Sequence, residues 1–271
     1  NPTITYEFNA ETKQTVLSGM GEMQLNIILK TLSEKFKLDV VTDVPRVAYR
    51  ETITKKAEAQ YKHKKQSGGH GQYGEVHFRV WPLDRGAGYE FKDSIVGGVV
   101  PKQYIPGVEK GVKEGMGDGV LARFPIVDVG VELYFGSYHD VDSSEMSFKI
   151  AARNCLKKSL EAAGPILLEP VMDVDIYVDK DFMGDILNDI TSRRGKVMGM
   201  GSTDESSSAV SVVKAQVPLA EMLRYTIDLR AMTSGKATFE MKFSHYDPIS
   251  GRIADKVIEE RKKFLEDEAN K

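Results

Sequence analysis

The chain has 271 residues, 41% hydrophobic and 28% charged, with a formal net charge of −3. That balance describes a folded protein of two or three domains at ~100–200 residues each, and it argues against an indiscriminate polyanion binder. No run reaches the ~18 apolar residues that span a bilayer, the N-terminus NPTITYEFNAETKQ lacks a signal pattern, and a single cysteine excludes an intrachain disulfide framework and multi-cysteine zinc sites, so a cytoplasmic protein without a membrane partner is expected.

Along the first 44 residues, TVLSGMGEMQLNIILKTLSEKFKLDVV places Met23, Ile27, Ile28, Leu32 and Phe36 at helical spacing. TVL before this helix and LDVV after it read as strands. The unit is too short to bury a core of its own. Gly19 and Gly21 open the helix, whose N-terminus can hold a phosphate. Without the third glycine of a dinucleotide fingerprint, the reading is a tight strand-to-helix turn.

A new pattern begins at Val44-Pro45. VAYRETITKKAEAQYKHKK reads as extended strand, and EVHFRVWPL alternates cleanly, with Val76, Phe78 and Val80 on one face and His77, Arg79 and Trp81 on the other. Between them lies QSGGHGQYG, which makes the pair a hairpin around a glycine-rich loop. YEFKDSIVGG adds a strand, Pro101 opens a helix to about Gly117, and FPIVDVGVELYF is a strand followed by the loop GSYHDVDSSEM. Ser143 or Ser144 caps the next helix, which ends at Gly164 and carries Cys155 as a buried structural thiol.

Beyond Pro165–Pro170 the order is β-α-β-β-α-β: VMDVDIYV, FMGDILNDITSRRG, KVMGMGS, AVSVVKAQV, PLAEMLRYTIDLRAMTSG, ATFEMKFS. That is the ferredoxin-like split βαβ arrangement. A last amphipathic helix, from about Ser250 to Glu268, carries Ile253, Val257 and Leu265 and is expected to pack on a neighbouring domain. The fold class is α+β.

The catalytic patterns are sparse. No Gly-x-x-x-x-Gly-Lys-[Ser/Thr] phosphate loop is present. His63 and His77 lie on the two arms of the hairpin, where they could meet, but two histidines without a carboxylate do not make a metal site. His139 stands beside Asp140, Asp142 and Glu145, which leaves open a small hydrolase built on the His139/Asp140/Asp142 loop; loop and cap chemistry explains Asp142 and Ser143 more cheaply.

QSGGHGQYG carries more information. Gly68, Gly69, Gly71 and Gly74 are more glycines than a hairpin needs, and each costs conformational entropy on folding. Gln66, Ser67, His70, Gln72 and Tyr73 offer hydrogen bonds, and Tyr73 a stacking face. Lys62, Lys64 and Lys65 on the strand leading in would track phosphates. An RNA-reading loop and a plain surface hairpin both fit these residues. Ser137, Tyr138 and His139 form a second polar loop, whose adjacency to the first the sequence does not establish.

SGMGEMQLNI, VAYRETI, QSGGHGQYG, VGGVVPKQYIPGVEKG, FPIVDV, GSYHDVDSSEMSFKIAA, LLEPVM, GDILNDITSRRGKVMGM and VPLAEMLRYTIDLR, in this order, resemble bacterial elongation factor G across essentially the whole chain. The resemblance implies a partial, ferredoxin-like third domain (1–44), a βαβ-type fourth domain with a protruding tip (45–165), and a ferredoxin-like fifth domain (166–247). The terminal helix, 250–271, would return to the fourth domain. It further implies a monomeric, ribosome-binding part of a translational GTPase, not itself an enzyme, that promotes translocation of tRNA and mRNA by inserting a tRNA-mimicking tip into the ribosomal A site.

On the same basis the tip is Gln66, Ser67, Gly68, Gly69, His70, Gly71, Gln72 and Tyr73 with Ser137, Tyr138, His139 and Asp140, supported by Lys62, Lys64, Lys65, Arg193 and Arg194. The implied partners are ribosomal RNA at the decoding site, the mRNA–tRNA pair and the GTPase-activating centre. No cofactor or metal is implied in this chain; GTP and magnesium belong to the family's N-terminal domain. His70 stands where arginine is common, and Gln24 and Asn26 replace a usual histidine and acidic residue. These departures point to a second-type paralogue, with ribosome recycling or ribosomal protection as alternative roles.

Overall fold

The computed structural model describes residues 4–19, 21–66, 71–202 and 210–270. The chain divides into two compact units, Asn1–Ala48 with Pro170–His245, and Tyr49–Glu169 with Tyr246–Lys271.

In the first unit, β1 (Thr5–Asn9) pairs antiparallel with β2 (Gln14–Ser18). The turn between them is held by the Asn9 side chain, whose Oδ1 accepts from the amides of Glu11 at 3.0 Å and Thr12 at 3.1 Å. Helix α1 (Glu22–Phe36) follows and ends in a left-handed Lys37, after which the Leu38 amide returns to the Leu32 carbonyl at 3.1 Å. The expected strand at Leu38–Val41 does not form. A strand exists only by pairing, and no described strand pairs with this segment. No residue of α1 is buried, and Met23, Ile27 and Phe36 remain exposed, in keeping with a segment that cannot enclose a core.

The rest of this unit follows the β-α-β-β-α-β order. Its elements are β8 (Pro165–Asp179, of which residues up to Glu169 belong to the second unit), α4 (Met183–Ser192), β9 (Lys196–Ser202), β10 (Val210–Pro218), α5 (Leu219–Met222), α6 (Tyr225–Met232) and β11 (Thr238–Ile249, whose end from Tyr246 belongs to the second unit). The strand order β11-β8-β10-β9 is that of a ferredoxin-like sheet. Period-2 alternation sends Val174, Ile176 and Val178 of β8 and Val213, Ala215 and Val217 of β10 to one face, where they pack on Ile186, Ile190, Tyr225 and Leu229. The helix expected over 218–235 is broken into α5 and α6. The Glu221 carbonyl accepts from the Arg193 guanidinium at 2.9 Å, on a path an unbroken helix would use for its own bond.

The second unit holds β3 (Arg50–Ile53), β4 (Ala57–Lys65), β5 (Gln72–Pro82), β6 (Tyr89–Asp93), α2 (Ile105–Met116), β7 (Val129–Ser137), α3 (Glu145–Ala162) and α7 (Gly251–Ala269). β3 pairs with Pro165–Leu168. The main sheet has the order β4-β5-β7-β6, with β6 parallel to β7 and α2 in the crossover. Val76, Phe78, Val80, Val129, Val131 and Leu133 are buried against Val108, Val112, Phe148, Ala152 and Leu156 from α2 and α3. At Gly111 an added Cβ would lie 2.3 Å from the Lys149 carbonyl oxygen, so glycine sets the approach of the two helices.

Ser144 caps α3, accepting from the Ser147 amide at 3.1 Å. Cys155 is fully buried, its thiol donating to the carbonyls of Ala59 at 3.3 Å and Val76 at 3.4 Å, and burial pushes its pKa up to about 12. Val257 of α7 packs with Phe124, Leu167 and Ile249, which places the terminal helix on this unit.

Candidate nucleic-acid interface

The β4–β5 hairpin runs in register from Ala57↔Val80 to Lys65↔Gln72, so Gln66 and Gly71 stand at its end. Ser67, Gly68, Gly69 and His70 lie outside the described residues. On the other side of β5, β7 ends with Ser137 opposite Glu75. Both loops therefore leave the same end of one sheet, the arrangement the sequence left open.

The two loops are bonded to each other. The Tyr73 amide donates to the Asp142 carbonyl at 2.8 Å, and the Gly71 amide donates to Asp142 Oδ1 at 2.9 Å. Ser143 Oγ donates to the Tyr73 carbonyl at 2.9 Å and accepts from the His139 amide at 2.9 Å. The Tyr73 and His139 rings lie with centroids 6.3 Å apart, tilted by 51°.

His139 is oriented by its own loop. Nδ1 accepts from the amides of Val141 at 3.3 Å and Asp142 at 3.2 Å. With Nδ1 an acceptor, the neutral ring carries its proton on Nε2 and presents that N–H as a donor. This is the wrong tautomer for a general base acting through Nε2, and Asp142 spends one oxygen on the Gly71 amide. His139 Nδ1 also lies 3.6 Å from Asp142 Oδ2, but with Nδ1 accepting from two backbone amides this contact does not orient the ring as a base for the hydrolase reading of His139, Asp140 and Asp142. Tyr138 is exposed beside it, and Asp140 is exposed.

Beneath the tip sits Glu75, which the sequence reading passed over. Its Oε2 accepts from Ser137 Oγ at 2.7 Å, from the Tyr73 hydroxyl at 3.2 Å and from Lys62 Nζ at 3.2 Å, while Oε1 meets His77 Nε2 at 3.2 Å. The Tyr73 hydroxyl and Ser137 Oγ are 2.7 Å apart. Burial would raise the Glu75 pKa, but the hydrogen bonds from Ser137, His77 and Lys62 and the Lys62 charge outweigh it and hold the carboxyl at about 2. The signal that could have found it was alternation: Tyr73, Glu75 and His77 share the polar face of β5, and Lys62 pairs with Glu75 across the strands.

Several expected contacts change character. Lys62 is tied to Glu75 and lies over the Tyr73 ring at 6.0 Å, so it is not a free phosphate-facing lysine. Lys64 and Lys65 are exposed near the hairpin end. His63 and His77 do not meet, because His63 faces Gly74 and His77 faces Gln60 across the strands; His63 Nε2 instead lies 2.9 Å from Gln72 Oε1. Arg193, in the other unit, has all three guanidinium nitrogens engaged, by Asp189 at 2.8 Å, the Glu221 carbonyl at 2.9 Å and Asp228 at 2.6 Å. Its role is internal bracing rather than a phosphate contact. Arg194 pairs with Glu221 at 3.0 Å.

Among the described residues no group of three or more His, Cys, Asp and Glu is placed to hold a metal ion, and no helix is long and apolar enough to cross a membrane. The geometry offers instead a shaped polar end: backbone-rich loops, oriented hydrogen-bond groups and aromatic faces flanked by lysines. Such a surface suits the splayed bases and phosphates of folded RNA.

Known proteins resemble this chain. Residues 1–44 match the family model "Elongation Factor G, domain III", residues 45–164 "Elongation factor G, domain IV", and residues 166–257 "Elongation factor G C-terminus". An elongation factor G-like protein of Thermotoga maritima is 48% identical over 268 residues, covering 99% of this chain and 39% of that protein. A crystal structure of a Thermus thermophilus protein matches with a TM-score of 0.87 at 41% identity, over 97% of this chain and 39% of the other. The chain thus spans well under half the length of these relatives.

Proposed function

The chain belongs to the elongation factor G family, and we propose that it is the ribosome-engaging part of a GTP-dependent translation factor that moves tRNA and mRNA. In this reading the second unit enters the ribosomal A site tip first, as a monomer in the cytoplasm. The observation that carries it is the mutual bonding of the two loops through Tyr73, Asp142 and Ser143, which supports a preformed tip over a pair of independent loops. A preformed surface loses less conformational entropy on binding.

The tip acts by recognition. His139 Nε2–H donates to a phosphate, a sugar hydroxyl or a base edge, Tyr138 stacks, and Gln66 supplies a donor and an acceptor from the facing loop. Lys64 and Lys65 attract the backbone. GTP and its magnesium ion are assigned to the family's N-terminal domain, since no phosphate-loop motif occurs in this sequence.

The test is binding of the chain to ribosomes with the A site vacant or filled by tRNA. Saturable binding to vacant ribosomes that A-site tRNA displaces, with protection of decoding-site RNA from chemical probes, is the expected result. Binding indifferent to A-site tRNA, or none, would overturn the reading.

A further inference from the structure

We propose that Glu75 is a positioning residue of the tip: it binds Tyr73 and Ser137, one from each loop strand, into a single unit and withdraws Lys62 from the row of phosphate-facing lysines. The consequence for RNA binding rests on the function proposed above; the coupling of the loops does not.

Four polar groups surround the carboxylate, Ser137, Tyr73 and Lys62 at Oε2 and His77 at Oε1, all within 3.2 Å. The Glu75 side chain is only 16% exposed, so water competes poorly for these sites. Ser137 gives its single hydroxyl proton to Glu75 at 2.7 Å, leaving its lone pairs toward the Tyr73 hydroxyl, also 2.7 Å away. The Tyr73 hydroxyl therefore directs its single proton at this pair, shared between Ser137 Oγ at 2.7 Å and Glu75 Oε2 at 3.2 Å. Tyr73 belongs to the first loop and bonds through its backbone to Asp142 and Ser143 of the second. Ser137 begins that second loop. His77 on the far side is held edge-on between Tyr134, 5.9 Å away, and Phe135, 4.9 Å away, so the carboxylate rests on a fixed base.

Lys62 follows from the same geometry. An ammonium 3.2 Å from a carboxylate presents a dipole to a distant phosphate, not a net charge. The two remaining lysines of the row, Lys64 and Lys65, carry the attraction. Lys62 is raised above its ordinary pKa chiefly by its bond to Glu75, in accord with this pairing.

The experiment uses the whole chain and two variants, Glu75→Gln and Glu75→Leu. Glutamine keeps an acceptor for Ser137 but frees Lys62. On ribosomes, Glu75→Gln should steepen the log–log salt dependence of binding by roughly 0.7–0.9, the increment of one further neutralised phosphate, and Lys62→Met should remove that increment while leaving the native slope unchanged. A residue of merely structural importance would leave the slope level or reduce it. In the free chain, by NMR, the Lys62 amine should titrate above the ordinary lysine value and return to it in Glu75→Gln. In Glu75→Leu the amides of Tyr73 and His139 should lose exchange protection together, by about tenfold or more, while Val131 and Leu133 keep theirs. A Lys62 titration indifferent to Glu75, or loss of protection in one loop only, overturns the proposal whether or not ribosomes are bound. If the native chain fails to bind ribosomes, the proposed function falls and the measurements on the free chain still decide the role of Glu75.

Discussion

The Gly71 amide donates to the Asp142 carboxylate at 2.9 Å, and that carboxylate fills the space a side chain at position 71 would need: an added Cβ would lie 2.9 Å from Asp142 Cγ. Glycine leaves room here for a close approach between two loops. Gly71→Ala should push Asp142 away, at a cost of about 1–3 kcal/mol for overpacking. Hydrogen exchange at the Tyr73 amide, which donates to the Asp142 carbonyl, should quicken accordingly. In an Asp142→Ala background the same substitution should cost less, a coupling of roughly 0.5–3 kcal/mol. Equal effects in both backgrounds would show that the two residues do not share the space.

The orientation of His139 separates recognition from catalysis. In the full-length protein, His139→Ala and Gln66→Ala should slow tRNA–mRNA movement and leave ribosome-stimulated GTP hydrolysis near normal. One or two hydrogen bonds at ~0.5–1.5 kcal/mol each, made only in the transition state, correspond to roughly 2- to 150-fold. Pre-steady-state translocation and phosphate release on the same ribosomes measure both. Hydrolysis falling in step with movement would mean that the tip is not a separable element.

Lys64 and Lys65 are the exposed cations left near the hairpin end once Lys62 is paired. Replacing both with glutamate should weaken ribosome binding and reduce the salt slope by roughly 0.7–0.9 for each phosphate no longer neutralised. An unchanged slope would make them a solvated strand face, whose main service is to guard the edge strand β4 against pairing with other chains.

Glu75 makes the fold sensitive to acid. Its carboxyl is held at about 2 against an ordinary 4.5, so the folded state favours the ionised form. The resulting stabilisation, about 3 kcal/mol, is present above pH ~4.5 and is lost as the pH falls toward 2, where the folded chain also takes up the proton. The groups facing it are Lys62, His77, Tyr73 and Ser137. Urea denaturation should place the native chain above Glu75→Gln at pH 7, with the gap closing below pH ~4.5. A gap constant across this acid range would assign the stabilisation to packing.

The sequence alone determined much of what depends on near neighbours along the chain. Val76, Phe78 and Val80 alternate and are buried; Val108 and Val112 fall on one helical face and are buried; Ser144 precedes α3 and caps it. The β-α-β-β-α-β order folds as the sheet it implies. These features follow from the strand and helix periods and from local hydrogen bonding, which a short stretch of residues specifies. Tertiary structure decided what requires partners remote in sequence. Leu38–Val41 has strand composition and no neighbouring strand among the described residues. The helix after Pro218 breaks between α5 and α6, where the Glu221 carbonyl accepts from the guanidinium of Arg193, a residue 28 positions away. Lys62 looked like one of three equivalent lysines until the β4–β5 register set it against Glu75. The union of the two loops depends on bonds between residues some 70 positions apart, Gly71 to Asp142 and Tyr73 to Ser143, because only the order of strands in the sheet brings their ends together.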